Sequence, residues 1–343
     1  MSRIFITGLG AVSPAGWGVA ALRNTLSQGE ALPIQPLERP GWEKPLRTRL
    51  VPAPAARPEF LAHPRLRRSS PITHYAAAAA VEAVSGPQAP SKTDRLGVIV
   101  CMQAGCVRYS CRFLDETIKD PATASPLLFP ETVYAAPASH VAALLGNVTL
   151  ACSIVGDPGS FLQAICLGVQ WLEENSVDAC LVIGAEETNW ILADALHHLD
   201  RNAVLTSGAG ALCLRRDAGG PGAVELAAIT DAHTYSTRHP RPQAARAVRG
   251  QLDAGSHGEL LCDGLADNAR LDTPERAAWS DWPGQRLSPK RILGDGLMAS
   301  AAWQCVAACD GITGGRFAAA NVSLVGSNQQ AIGARFVRAK TEA

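Results

Sequence analysis

Residues 148–165 read VTLACSIVGDPGSFLQAI. A run rich in β-branched and apolar residues leads into Gly156, Asp157, Pro158 and Gly159, and an apolar segment of helical period begins at Ser160. The spacing predicts a strand, a tight turn and a helix. An aspartate followed by proline starts helices well, with Asp157 as N-cap and Pro158 at the first helical position. The head of such a helix is where enzymes expose a nucleophile, because free N–H groups and the helix dipole stabilise an anion there. The thiol of this stretch, Cys152, falls in the strand, ahead of the turn.

Outward from that stretch the pattern repeats. RIFITG, RLGVIVCMQ, VDACLVIGAEE, GAGALCLRR, AVELAAITDA, GELLCDG, NVSLVGSN and ARFVRAK read as strands. ITHYAAAAAVEAVSG, SFLQAICLGVQWLEEN and DGLMASAAWQCVAACDG read as helices, the first stopping at Gly86. Apolar strands alternating with helices of 10–15 residues indicate an α/β protein with largely buried sheets. Residues 32–60, 85–93, 216–223 and 234–256, rich in Pro, Arg and small polar side chains, are expected as loops. Both halves carry a strand–turn–helix, a long apolar helix and paired strands. The expected division is therefore 1–218 and 219–343, two duplicated halves of one integrated unit.

The 343 residues carry 31 basic and 31 acidic side chains, for no formal net charge. A nucleic-acid partner, which needs a basic footprint, is not expected. The apolar runs are too short to span a bilayer, so no membrane association is expected. The N-terminus shows no signal-peptide pattern, and the expectation is a cytoplasmic protein. Ten cysteines form no CxxC pair, and Cys101, Cys106 and Cys111 lack histidines at zinc-site spacing. They read as buried reduced thiols, with no metal and no cofactor expected. The GLG at 8–10 lacks the third glycine and the later acid of a dinucleotide site.

Several segments, in order, resemble the β-ketoacyl-ACP synthases of the thiolase superfamily. IFITGLGAVSPAGWG (4–18) is similar to that family's VVVTGLGxVxPxG, and LRRSSPITHYAAAAAVEAV (66–84) to RRxDRFxxYAxxAAxEA. FPETVYAAPASHVAALLGN (129–147), VDACLVIGAEE (177–187) and TSGAGALCLRR (206–216) resemble NxxAGHIAIxxGLxGP, ADVMxAGGAE and GEGAGxLVLEE. SPKRILGDGLMASAAWQ (288–304) lines up with STKSxxGHxxGAAGxVE. The resemblance implies the five-layered αβαβα thiolase fold, normally a dimer. Against that pattern the chain is short between GAEE and GAGAL and before residue 259.

The family condenses acyl groups with a cysteine nucleophile, two histidines and a lysine. Counting back from GAEE, the nucleophile position falls at Asp157 or Pro158, neither of which can form a thioester. The first histidine position falls at Gly264 in CDGLADNARLDTPE, and the second at Asp295 in GDGLMASAA. Lys290 stands at the lysine position, and Gln304 where the family has a glutamate. No catalytic residue is expected. The fallback nucleophiles are Cys152, whose ACS matches part of the family's TACSTS, and Ser160 in the helix's first turn. None of the eight histidines falls at a catalytic offset; His197 and His198 read as a helix-surface pair, and His140 as structural.

The expected function is a degenerate, chain-length-factor-like subunit that pairs with an active ketosynthase in fatty-acid, polyketide or polyene chain elongation. The alternatives are an active thioester enzyme (a β-ketoacyl synthase or acyltransferase) using Cys152 or Ser160, and a homodimer that binds acyl chains or carriers without chemistry. The expected partners are an active ketosynthase subunit or a second copy of the chain, and an acyl carrier protein. Arg238, Arg241, Arg246 and Arg249, a stretch without acids, are candidates for docking the acidic carrier. Arg65, Arg67 and Arg68 are expected to extend that patch.

Overall fold

The computed structural model describes residues 3–216, 223–253, 255–326 and 329–339. The first half supplies β1 (Phe5–Ser13), β2 (Leu96–Met102), β3 (Val148–Val155), β4 (Ala179–Glu186) and β5 (Gly208–Arg215). The second supplies β6 (Val224–Ile229), β7 (Leu260–Cys262), β8 (Gln285–Leu287), β9 (Ala319–Val325) and β10 (Gln330–Arg338). Hydrogen-bonded neighbours run β8-β7-β9-β10-β6-β1-β5-β4-β2-β3. Read inward from each end, the two halves have the same order, every strand of the second being its counterpart in the first plus five. Parallel and antiparallel pairings also match pair for pair. The halves join where β1 runs antiparallel to β6. The expected boundary at 218/219 lies outside the described residues.

The helices are α1 (Val19–Gln28), α2 (Pro71–Ala83), α3 (Val107–Lys119), α4 (Ala136–Leu145), α5 (Ser160–Glu173), α6 (Trp190–Leu199), α7 (Arg241–Gln251), α8 (Ala269–Ala278), α9 (Pro289–Leu293) and α10 (Met298–Thr313). α10 packs on β1, β4 and β5 from one side and on β7, β9 and β10 from the other, with α5 beside it. It is buried from Met298 to Ile312, which is why its sequence is apolar on every face. α2 and α4 cover the outer face of the first sheet; α7, backed by α8, covers that of the second. Five layers result, α–β–α–β–α.

Gly8 and Gly10 of the GLG stretch serve this packing. A methyl group at either would collide with the backbone carbonyls of Ala83 and Ala79. The glycines let the Ala-rich α2 lie directly on β1.

Three expectations change. Residues 234–256 are not all loop: α7 forms there because Ala244, Ala245 and Val248 make a narrow buried stripe between the arginines. Within 32–60, Gln35–Leu37 and Leu46–Arg49 pair as short strands and add Leu205–Thr206. α2 ends at Ala83, before Gly86, with Val84 as its C-cap. None of the ten cysteines is in a disulfide, and seven are buried; Cys111 and Cys152 are half-buried and Cys166 is exposed. Among the described residues no helix is long and apolar enough to cross a membrane. Nor does any group of three or more His, Cys, Asp or Glu there come together to hold a metal.

Candidate functional site

β3 enters the turn as the sequence predicts, but the helix begins two residues later than the Asp-Pro pair suggests. Gly159 is the N-cap of α5 and Ser160 its first residue. Pro158 and Gly159 form a tight entry turn instead, with Ser160 N–H donating to the Asp157 carbonyl (2.9 Å) and Phe161 N–H to that of Pro158 (3.2 Å).

The Asp157 side chain is 3% exposed. Its Oδ1 accepts from Gly159 N–H at 3.0 Å and from Gln330 Nε2 at 2.9 Å, and its Oδ2 from Gln330 N–H at 3.2 Å. Gln330 opens β10, so the carboxylate ties the head of a first-half helix to the second half. The Gln330 amide also reaches Gln163 Oε1 at 3.3 Å. The head of α5 is thus a hydrogen-bonded junction between the two halves. Sequence reasoning missed Gln330, 173 residues away, because no local pattern connects the two positions.

Cys152 sits in β3 with its backbone paired to Ile99 of β2, and its side chain packs against the central apolar cluster. Burial pushes the thiol upward, away from the thiolate range of reactive cysteines. Ser160 is buried at the start of α5, its hydroxyl folded over Gly156.

Gly264 follows β7. Its N–H donates to Glu275 Oε1 at 3.2 Å, and a Cβ there would meet Glu275 Oε2 at 3.2 Å. A histidine at 264 therefore needs Glu275 to give way. Burial raises both Glu275 and neighbouring Asp263, whose Oδ1 accepts from Ser288 Oγ at 2.5 Å.

Lys290, on α9, forms an ion pair with Asp295 (Nζ to Oδ2, 3.1 Å), which neutralises the lysine. The opposite charges five residues apart were a legible signal for this pair. Gln304, fully buried in α10, donates to the carbonyls of Ser323 (3.1 Å) and Cys262 (3.4 Å) and holds β9 and β7 together.

Two adjacent carboxylates end β4. Glu187 accepts from Ser70 Oγ (2.6 Å), Ile72 N–H (3.0 Å) and Arg108 N–H (2.7 Å), and so clamps the starts of α2 and α3. Glu186 accepts from the N–H groups of Gln103 and Ala104. Complete burial raises the Glu186 carboxyl from about 4.5 to about 8, against the pull of those donors. The folded state thus favours the neutral acid. Its contribution is complete below about pH 4.5 and is lost as pH rises through about 8. Denaturant titrations are expected to show stability falling between pH 5 and pH 9, by on the order of 4 kcal/mol from this group. Glu186→Gln should flatten that slope; an unchanged slope would assign the loss to other groups.

The four candidate docking arginines differ in their surroundings. Arg249 pairs with Asp281 (3.0 Å) and lies over the Trp279 ring, and Arg241 lies over the Tyr235 ring. Arg238 and Arg246 are exposed. Arg65, Arg67 and Arg68 are exposed beside α2, on the opposite outer layer from α7, so they do not extend the same surface. His140 Nε2 donates to the Glu131 carboxylate, 2.9 and 3.0 Å from its two oxygens, and pins α4 to the preceding turn. His198 pairs loosely with Asp194 on the surface of α6.

The description "Beta-ketoacyl synthase, N-terminal domain" matches residues 1–220. A search of curated protein sequences finds no match. Among solved structures, a β-ketoacyl synthase from Burkholderia phymatum STM815 superposes with a TM-score of 0.81 at 16% identity, over 99% of this chain and 100% of that one. A chain of the ketosynthase ApeO in complex with its chain length factor ApeC, from Xenorhabdus doucetiae, gives 0.75 at 15% identity over 98% of each chain. A chain of the AntDE:AntF complex, a type II polyketide acyl-carrier protein with its ketosynthase, gives 0.79 at 14% identity over 98% and 99%. These likenesses are in fold, and the match over residues 1–220 gives the family: the chain belongs to the β-ketoacyl synthases.

Proposed function

We propose that the chain is a non-catalytic ketosynthase-like subunit, akin to a chain length factor, that pairs with an active β-ketoacyl synthase during acyl-chain elongation. The observation that carries this reading is the Asp157 carboxylate, bonded on both oxygens where the family presents its thiol. A carboxylate there also repels the malonyl carboxylate and the enolate derived from it. The Lys290–Asp295 pair and the closed Gly264 turn support it, since no imidazole stands at either position to stabilise charge developing in the transition state. Complexes of ketosynthases with chain length factors and with carrier proteins among the structural relatives fit this role.

The purified chain is expected to release no carbon dioxide from malonyl-carrier protein above the uncatalysed rate. Intact-mass spectra after incubation with acyl-carrier protein should show no adduct. An acyl adduct mapping to Cys152 or Ser160 would replace this reading with the active thioester enzyme. Co-expression with a ketosynthase separates a paired subunit from a homodimer that ignores it.

In this reading the carrier docks on Arg65, Arg67 and Arg68, three exposed cations within four residues that make no ion pair among the described residues. Replacing all three by glutamate should weaken carrier binding about tenfold or more at low salt and flatten its ionic-strength dependence. The same change at Arg238 and Arg246 should do less. Equal effects would return the docking site to α7.

A further inference from the structure

A cavity of about 400 Å³ opens between α1, β8 and the C-terminal half of α10. No residue of the elbow lines it. Leu22, Leu26, Leu260 and Val306 form its closed floor, and the surface open to a ligand comes from half-buried Leu287 and Phe317 with exposed Arg23, Ser27, Gln285 and Arg316. At its mouth lies a cluster that the proposed role does not use. Asp310 is buried and receives Arg23 through Nε (2.8 Å to Oδ2) and Nη2 (2.5 Å to Oδ1), and also Arg316 through Nη2 (2.8 Å to Oδ2). One guanidinium is enough to compensate a buried carboxylate. With two the triad keeps a net positive charge, and both arginines are 40–50% exposed at the opening. Asp310 holds them in fixed orientation, so little side-chain entropy remains to be lost when an anion binds.

A cleft within the size range of ligand pockets, with Leu287 and Phe317 on its open wall and oriented cations at its mouth, matches an anion-headed aliphatic molecule. A second cavity of about 460 Å³ shares Leu26, Ser27, Gln285 and Leu287 with the first, but its further walls are polar, with Asp263, Arg286 and Ser288. A long tail entering it would bury methylenes against those groups, so the cleft limits chain length.

We propose that this cleft binds a medium-chain fatty carboxylate, with the head group on Arg23 and Arg316 and the tail between α1 and α10. Burial of the tail supplies most of the affinity and the guanidinium pair fixes its polarity.

Calorimetric titration of the full chain tests it, with decanoate, decanol, acetate and hexadecanoate as probes. Decanoate should bind with one-to-one stoichiometry, at least tenfold tighter than decanol and hexadecanoate, with acetate undetectable, and its affinity should fall with added salt. Arg316→Gln, which leaves Arg23 on Asp310, should weaken decanoate about tenfold and leave decanol unchanged. Ser27→Trp, introduced at an exposed position bordering the cleft, should abolish both without lowering the melting temperature. Decanoate bound no better than decanol, or bound equally by Ser27→Trp, would overturn the proposal. So would saturation by an acidic decapeptide in place of decanoate, which would make the cleft a peptide surface.

Discussion

With Leu150 and Ile118 both replaced by lysine, the protein is expected to lose its partner subunit while keeping its melting temperature. β3 is the last strand of the sheet, so its outer edge offers unpaired backbone groups to another chain. Thr149, Leu150, Ala151 and Val155 on it are exposed. The helix α3 is amphipathic but has no buried residue; Leu114 and Ile118 are 54% and 72% exposed. The following segment adds Leu127, Phe129 and Tyr134 to the exposed apolar side chains. In the proposed role, this uncovered apolar helix face and the open strand edge are where a second subunit would pack. Two buried charges at such an interface should weaken association by about 100-fold or more, about 2.8 kcal/mol. Light scattering coupled to gel filtration reads the assembly and calorimetry reads the fold. An assembly that survives both lysines would place the interface elsewhere.

The elements that were legible in the sequence are those whose burial is uniform. β2 and β4 are buried at every residue and read as unbroken apolar runs, and α10, enclosed by two sheets, reads the same way. The duplicated strand order follows from those runs together with their connecting helices. α7 was not legible, because three buried residues among three arginines give a weak period, and Pro240 and Pro242 suggest a loop. The candidate site was legible only as expected positions. Asp157, Gly264 and Asp295 come from counting along the chain from neighbouring motifs, whereas their surroundings depend on contacts distant in sequence. Gln330 meets Asp157 across the two halves, and Arg23 meets Asp310 across 287 residues. Periodicity and capping rules act over a few residues and carry no information about such pairs.

Asp157→Ala is expected to cost about 2–4 kcal/mol. It removes a buried acceptor of three hydrogen bonds and leaves the Gln330 N–H and amide without their partner. For a chain of this size that is a fall in melting temperature of several degrees. Asp157→Asn keeps one acceptor oxygen but turns an amide group toward the Gln330 donors, so it should fall between wild type and alanine. Stability alone does not separate a structural junction from a damaged active site; Asp157→Cys does. If the site lacked only its nucleophile, a thiol at this position would restore malonyl-carrier decarboxylation. The chain also lacks imidazoles at Gly264 and Asp295, and Lys290 is paired with the latter. The cysteine variant is therefore expected to show the stability loss of alanine and no turnover. Turnover by Asp157→Cys, or an unchanged melting temperature in Asp157→Ala, would show that the elbow is still an active site and that its carboxylate does not hold the two halves together.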